Sequence, residues 1–243
     1  MWKILFEFLD RIFAIVPVKK WREYLRIQLL FDYRRKLNAL KSGCPELNFT
    51  NFKLAKGGGS IVFILKDKIT FKVRKHNYEA GTFSRFDREK RITDALRPFC
   101  TIKIPNVEFI KLGEYTFYKS DFIPGKLLIN IPFKKIKRYQ QQISQQLAEF
   151  IYKKSFANPP EIADLRNSDI HEGFAWNHGD MCSNILINPK TMVITGIIDW
   201  EWASYSDQER EFRGLVRVRK KMQKIGLDKT TYQCYLEILK KNS

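Results

Sequence analysis

Near the N-terminus, the polar positions Lys3, Glu7, Asp10 and Arg11 recur at i, i+4, i+7 and i+8. They leave a broad apolar face of Trp2, Leu5, Phe6, Leu9, Ile12, Phe13 and Val16, the pattern of an amphipathic helix. Pro17 ends it, because proline cannot supply the N–H that a continuing helix needs. A second helix is predicted from about Lys19 to Leu40, with Trp21, Leu25 and Leu29 on one face and a basic border of Lys19, Lys20, Arg22, Arg26, Arg34, Arg35 and Lys36. An apolar stripe with a basic rim suits helices lying on an anionic membrane surface. It serves equally well for helices that pack on the protein's own lobes.

From Phe49 the period shortens from helical to alternating. Residues 52–56 read as a strand, Gly57, Gly58, Gly59 and Ser60 as a loop, 61–65 as a second strand, and 69–73 as a third after a turn at Lys66 to Lys68. Glycines allow backbone amides to approach phosphates closely. Alternation puts Phe71 and Val73 on one face of the third strand and Lys72 on the other. A helix follows over 85–96, with Ile92, Ala95 and Leu96 as its packing side. Two more strands are expected at 107–112 and 115–122, entering a break at Phe122, Ile123, Pro124 and Gly125.

Beyond the break, Ile143, Leu147, Phe150 and Ile151 mark a buried helix over 139–154, and residues 134–138 read as a solvated basic turn. Apolar runs at 185–187 and 193–198 flank Asn188, Pro189 and Lys190, which predicts a hairpin.

A chain of 243 residues with 44% hydrophobic content can bury a substantial core and suits one two-lobed unit. The four cysteines are far apart, without metal-site spacing, so reduced thiols are expected rather than disulfides or a structural zinc. Glu7 and Asp10 interrupt the first apolar stretch, unlike a secretory signal, and the run Ile12 to Val18 is too short to span a bilayer. The net charge of +18 calls for an anionic partner or a heavily solvated basic surface. Neither zinc-finger spacing nor an RNP-like strand is present, so specific nucleic-acid binding is not expected.

The predicted hairpin carries the chemistry. His178, Gly179 and Asp180 precede it and Asp199 follows its second strand, within IleIleAspTrpGlu at 197–201, so both carboxylates fall at one end. Phosphoryl transfer uses such a pair, one to take a proton and one to hold a metal. These motifs resemble the aminoglycoside phosphotransferase and choline kinase family, small-molecule kinases of protein-kinase-like fold. The resemblance implies an α+β bilobal architecture: a small antiparallel-sheet N-lobe over 49–121, a mainly helical C-lobe over 122–243, and a basic helical extension over 1–48. It implies ATP and Mg2+ as cofactors and Asp180 as the catalytic base, with Asn184 and Asp199 as metal ligands. Gly57, Gly58, Gly59, Ser60 and Lys72 would meet the nucleotide phosphates. Glu89 would be the lysine's acidic partner, with Asp87 as a second option, and Lys119, Ser120, Asp121 and Phe122 would form the adenine-binding hinge. One departure stands out: three residues separate Asp180 from Asn184, where the family usually has four.

HGD in place of HRD, with no long activation segment, favours a small-molecule acceptor. The basic surface and the N-terminal helices point to a sugar hydroxyl on a glycolipid or surface-polysaccharide precursor, as in lipopolysaccharide synthesis, at an anionic membrane surface contacted through residues 1–40. The expected location is cytoplasmic, peripheral on the inner face of the cytoplasmic membrane. The short loop leaves a second reading, a pseudokinase-like protein that binds anionic lipid, glycan or a protein partner without transferring phosphate.

Overall fold

A computed structural model describes residues 8–9, 12–13, 15–50, 52–56, 59–66, 68–75, 82–166, 171–216 and 220–242. The chain divides into two compact units, one of residues 1–84 and 108–122 and the other of 85–107 and 123–243. Residues 1–48, set apart as an extension in the sequence, thus group with the first unit, and 85–107 with the second.

The first unit is built on a five-stranded antiparallel sheet of order β1-β2-β3-β5-β4, from β1 (Phe52–Lys56), β2 (Ser60–Leu65), β3 (Ile69–Arg74), β4 (Val107–Leu112) and β5 (Tyr115–Asp121). The alternation read from the sequence is realised: Phe71 and Val73 are buried with Ile61, Phe63 and Phe117, while Lys72 lies on the opposite face. The predicted helix over 19–40 is instead two, α1 (Lys19–Leu29) and α2 (Phe31–Gly43), broken at Leu30, which adopts an extended conformation. No proline or glycine causes the break. Leu30 is buried with Tyr33, Leu37 and Leu40 against the sheet residues, and straightening the chain there would withdraw side chains each worth about 1.5–3 kcal/mol of burial. Part of each N-terminal helix therefore belongs to the core of this unit.

The second unit is mainly helical, from α3 (Thr82–Leu96, in this unit from Arg85) through α4 (Phe133–Arg138) and α5 (Gln140–Ser155) to α6 (Glu209–Gly214), α7 (Lys220–Ile225) and α8 (Leu227–Asn242). Residues 134–138, expected as a turn, form most of α4, because Ile136 is fully buried and the segment coils to put it inward. Helix α5 packs its stripe of Ile143, Leu147, Phe150 and Ile151 into the core. The short strands β6 (Lys126–Leu127), β8 (Ile185–Ile187) and β9 (Ile194–Ile197) form one sheet, and β7 (Phe174–Asn177) pairs with β10 (Ser204–Asp207) in another. Among the described residues no helix is long and apolar enough to cross a membrane.

Candidate functional site

The β8–β9 hairpin is antiparallel, with Ile185 opposite Ile197, so Asn184 before β8 and Ile198–Asp199 after β9 emerge at the same end. The Ile198 N–H donates to the Asn184 carbonyl at 3.1 Å and extends the pairing to that end. Asp180 is joined to Asn184 by a single 3-10 turn, Met181–Ser183, closed by the Asn184 N–H on the Met181 carbonyl at 2.9 Å. This one turn accommodates the three-residue spacing. The Asn184 side-chain amide donates to the Asp180 carbonyl at 2.8 Å and lies 3.4 Å from Asp180 Oδ2. With its NH2 turned to Asp180, Asn184 presents Oδ1 as the end that can face a cation.

Asp180 is held from behind by His178. The imidazole is fully buried, Nε2 lies 2.9 Å from the Ile198 carbonyl, and the Asp180 N–H donates to Nδ1 at 3.2 Å. A carbonyl can only accept and an amide N–H can only donate, so the ring is the neutral Nε2–H tautomer. Burial pushes its pKa below the ordinary 6.5, against the opposing influence of Glu211 and the Ile198 carbonyl. His178 is therefore a fixed spacer, and Nδ1 has no capacity left to act as a base.

The loop is anchored a second way. The His178 N–H donates to both carboxylate oxygens of Glu211, at 2.9 and 3.2 Å, and Glu211 pairs with Lys154 Nζ at 3.2 Å. Lys154 also donates to the Trp176 carbonyl, and both members of the ion pair are only 1% exposed. Asp207, ahead of α6, accepts from the Glu209 N–H at 2.9 Å, whereas Glu211 turns inward to the loop that carries Asp180. Lys154 was missed. Its signal was present: it sits three residues after Ile151 and four after Phe150, in register with the buried stripe of α5.

Asp199 adopts the left-handed conformation, φ 67° and ψ 63°, which costs a side-chain-bearing residue about 1 kcal/mol or more. The strain is held by its neighbour. Trp200 is fully buried, its indole N–H donates to the Ile197 carbonyl at 3.0 Å, and its backbone N–H donates to Glu89 Oε1 at 2.9 Å. Glu89, on α3, is 1% exposed, whereas Asp87 is only half-buried. Gly179 has φ 83°, and a Cβ there would lie 2.3 Å from the Trp202 carbonyl, so the loop passes against the Asp199 segment with no room for a side chain.

The remaining candidates lie in the first unit. Lys72 Nζ is 5.4 Å from the centre of the Tyr118 ring. Ser60 is buried and accepts a long hydrogen bond from Arg74, and the Gly59 carbonyl accepts from the Lys75 N–H at 3.0 Å. Gly57 and Gly58 lie outside the described residues, as do Trp2, Leu5 and Phe6. Lys119 forms an ion pair with Glu108, Ser120 and Thr70 share a hydroxyl contact of 2.6 Å, and Asp121 pairs with Ile69 across the sheet. The Phe122 N–H donates to the Lys68 carbonyl at 2.8 Å, so this hinge amide is committed to the sheet.

Among the described residues no group of three His, Cys, Asp or Glu side chains could hold a metal. A magnesium ion bound with a nucleotide does not need one, since it takes one or two protein oxygens and fills the rest of its shell from phosphates and water. The Asp199 carboxylate and Asn184 Oδ1 are hard oxygen donors of that kind.

No protein-family model matches the sequence, and no curated protein is significantly similar to it. Solved structures do share the fold. The GDP and kanamycin complex of APH(2")-IIia aligns with a TM-score of 0.67 and 13% identity over 83% of this chain and 82% of that one. The streptomycin-ATP-APH(2")-IIa ternary complex gives 0.64 and 12% over 82% and 81%. Macrolide 2'-phosphotransferase MphH from Brachybacterium faecium gives 0.58 and 12% over 82% of each chain. The chain thus has the protein-kinase-like fold of the aminoglycoside and macrolide phosphotransferases.

Proposed function

We propose that this protein is an ATP- and magnesium-dependent phosphotransferase that acts on a hydroxyl of a small molecule. The observation that carries the reading is the end of the β8–β9 hairpin, where Asn184 and Asp199 emerge together and Asp180 is joined to Asn184 by a hydrogen-bonded turn. Asp180 orients the acceptor hydroxyl and takes its proton as the new bond from acceptor oxygen to the γ-phosphorus forms and the bond to the ADP oxygen breaks. Asp199 and Asn184 would hold magnesium, which would supply charge neutralisation at the phosphates. Lys72 and the backbone of Gly57, Gly58, Gly59 and Ser60 add positive potential around the phosphates, and the Lys119–Phe122 segment receives the adenine. Glu89 keeps the segment after Asp199 in place through the Trp200 N–H.

The acceptor is a sugar, carried on a glycolipid or surface-polysaccharide precursor at the inner face of the cytoplasmic membrane. An aminoglycoside is a polycation, and a chain with 44 Lys and Arg against 26 Asp and Glu suits a neutral or anionic acceptor better. A binding-only reading remains as the alternative, favoured by the three-residue spacing between Asp180 and Asn184.

Thermal unfolding with and without ATP and magnesium separates the two. A ligand at 100 times its dissociation constant adds about 2.7 kcal/mol of stability. The proposal expects that gain in the wild type, its loss in Asp199→Ala, and its retention in Asp180→Ala, in which transfer to sugar and glycolipid acceptors is abolished. Nucleotide stabilisation without transfer to any acceptor would favour binding alone; absence of stabilisation would overturn the nucleotide site.

A further inference from the structure

Eight of the fifteen large hydrophobic side chains that stand exposed among the described residues fall between Phe8 and Phe31, a concentration that scattered surface apolar residues do not produce. Before Pro17, Phe8, Ile12 and Ile15 recur at i, i+4 and i+7 and stand outward, Ile15 being 80% exposed, while Leu9 and Phe13 pack on the core of the first unit. In α1 and at the start of α2 the outward set is Trp21, Tyr24, Leu29 and Phe31, with Trp21 64% and Phe31 70% exposed. Leu25, Ile27, Leu30 and Tyr33 face the core. The segment is therefore apolar on two sides, and folding uses only one.

The charge around the unused side identifies what covers it. From Lys19 to Lys41 there are eight Lys and Arg and two acids, Glu23 and Asp32. Lys36 is buried and paired with Asp32, and Arg35 is paired with Glu114, whereas Arg34 and Lys41 are exposed. Aromatic and aliphatic side chains interleaved with cations match a bilayer interface carrying anionic headgroups: the rings enter the headgroup layer and the cations meet the phosphates. A second copy of this chain would bring a like-charged surface to the same face.

We infer that the outward face of residues 8–31 is a docking surface for an anionic lipid bilayer. This deepens the membrane-surface part of the proposed function and rests on it for its role, although its test needs neither nucleotide nor acceptor. The docked face would hold the protein against the layer from which a glycolipid acceptor is presented.

The experiment is sedimentation of the full-length protein with vesicles of phosphatidylcholine, with and without phosphatidylglycerol, at low and high salt. Binding is expected only to the anionic vesicles, weakened by salt, and reduced by about tenfold or more in Trp21→Ser combined with Phe31→Ser. Both side chains are exposed, so an unchanged melting temperature is expected to accompany the loss. Quenching of wild-type tryptophan fluorescence by brominated lipid, diminished in Trp21→Ser alone, gives an independent readout. No binding to anionic vesicles, or equal binding by the double variant, overturns the inference. A concentration-dependent dimer that the double variant abolishes also overturns it, by assigning the face to a second copy. Because the ATP–magnesium thermal shift is measured without vesicles, either proposal can fail alone.

Discussion

Acidification should weaken this protein through one imidazole. His178 is buried, its Nε2–H is committed to the Ile198 carbonyl and its Nδ1 to the Asp180 N–H, so a second proton has no place on the ring without breaking the bond to Asp180. Burial holds its folded pKa below the ordinary 6.5 that it regains when unfolded. The unfolded chain then binds a proton that the folded chain refuses. The stabilising contribution is complete above the unfolded value and is lost as pH falls below it, at up to about 1.4 kcal/mol per pH unit. Between about pH 7.5 and about pH 5.5 the loss has a ceiling of about 1.4 kcal/mol, reached when the folded ring stays neutral throughout. The assay is urea unfolding at a series of pH values, followed by tryptophan fluorescence, to which the buried Trp176 and Trp200 beside this loop contribute. His178→Gln keeps a side-chain N–H donor but cannot titrate, and carboxylates elsewhere contribute equally to both proteins. The wild-type curve should therefore fall more steeply than that of His178→Gln, by up to about 1.4 kcal/mol over this range. Parallel curves would show that the folded protein accommodates the imidazolium, and the spacer role argued for His178 would be wrong.

Two further outcomes are expected from the supports of the same loop. Glu211→Gln or Lys154→Met leaves one charge buried without its partner and should cost about 3–5 kcal/mol, with the double variant Glu211→Gln/Lys154→Met recovering part of it in a denaturation cycle. Equal or additive losses would place the energy elsewhere. Gly179→Ala forces a side chain into left-handed backbone and against the Trp202 carbonyl, so it should lower stability by more than the roughly 1–2 kcal/mol of the conformation alone and remove phosphate transfer. An alanine variant with wild-type melting and activity would show that the loop can move away.

Much of the site was legible because its signals are local. The strands 185–187 and 194–197 are apolar runs that flank a turn, so pairing Ile185 with Ile197 follows from neighbouring residues, and Asn184 and Asp199 then share one end. The same holds for the β1–β2–β3 meander and for Lys72, whose face was set by the two-residue period of its strand. Leu30 was not legible, since nothing in its own neighbourhood breaks a helix; the extended residue is imposed by side chains on both sides that must reach one sheet.

By itself, the sequence determined the strands of the β1–β2–β3 meander and the shared end of the β8–β9 hairpin, because backbone period, turn residues and motif spacing act over a few residues. Tertiary structure decided how that chemistry is held. Glu89 reaches the Trp200 N–H across 111 positions, and Glu211 reaches the His178 N–H across 33. A glutamate in a charged helix looks the same whether it faces water or a buried amide, and only the packed core, where an unmet N–H costs several times what it would in water, selects the carboxylate that must turn inward. The two-sided N-terminal segment has the same cause: its pattern showed apolar faces, and only the sheet beneath it determined which of them the fold consumes.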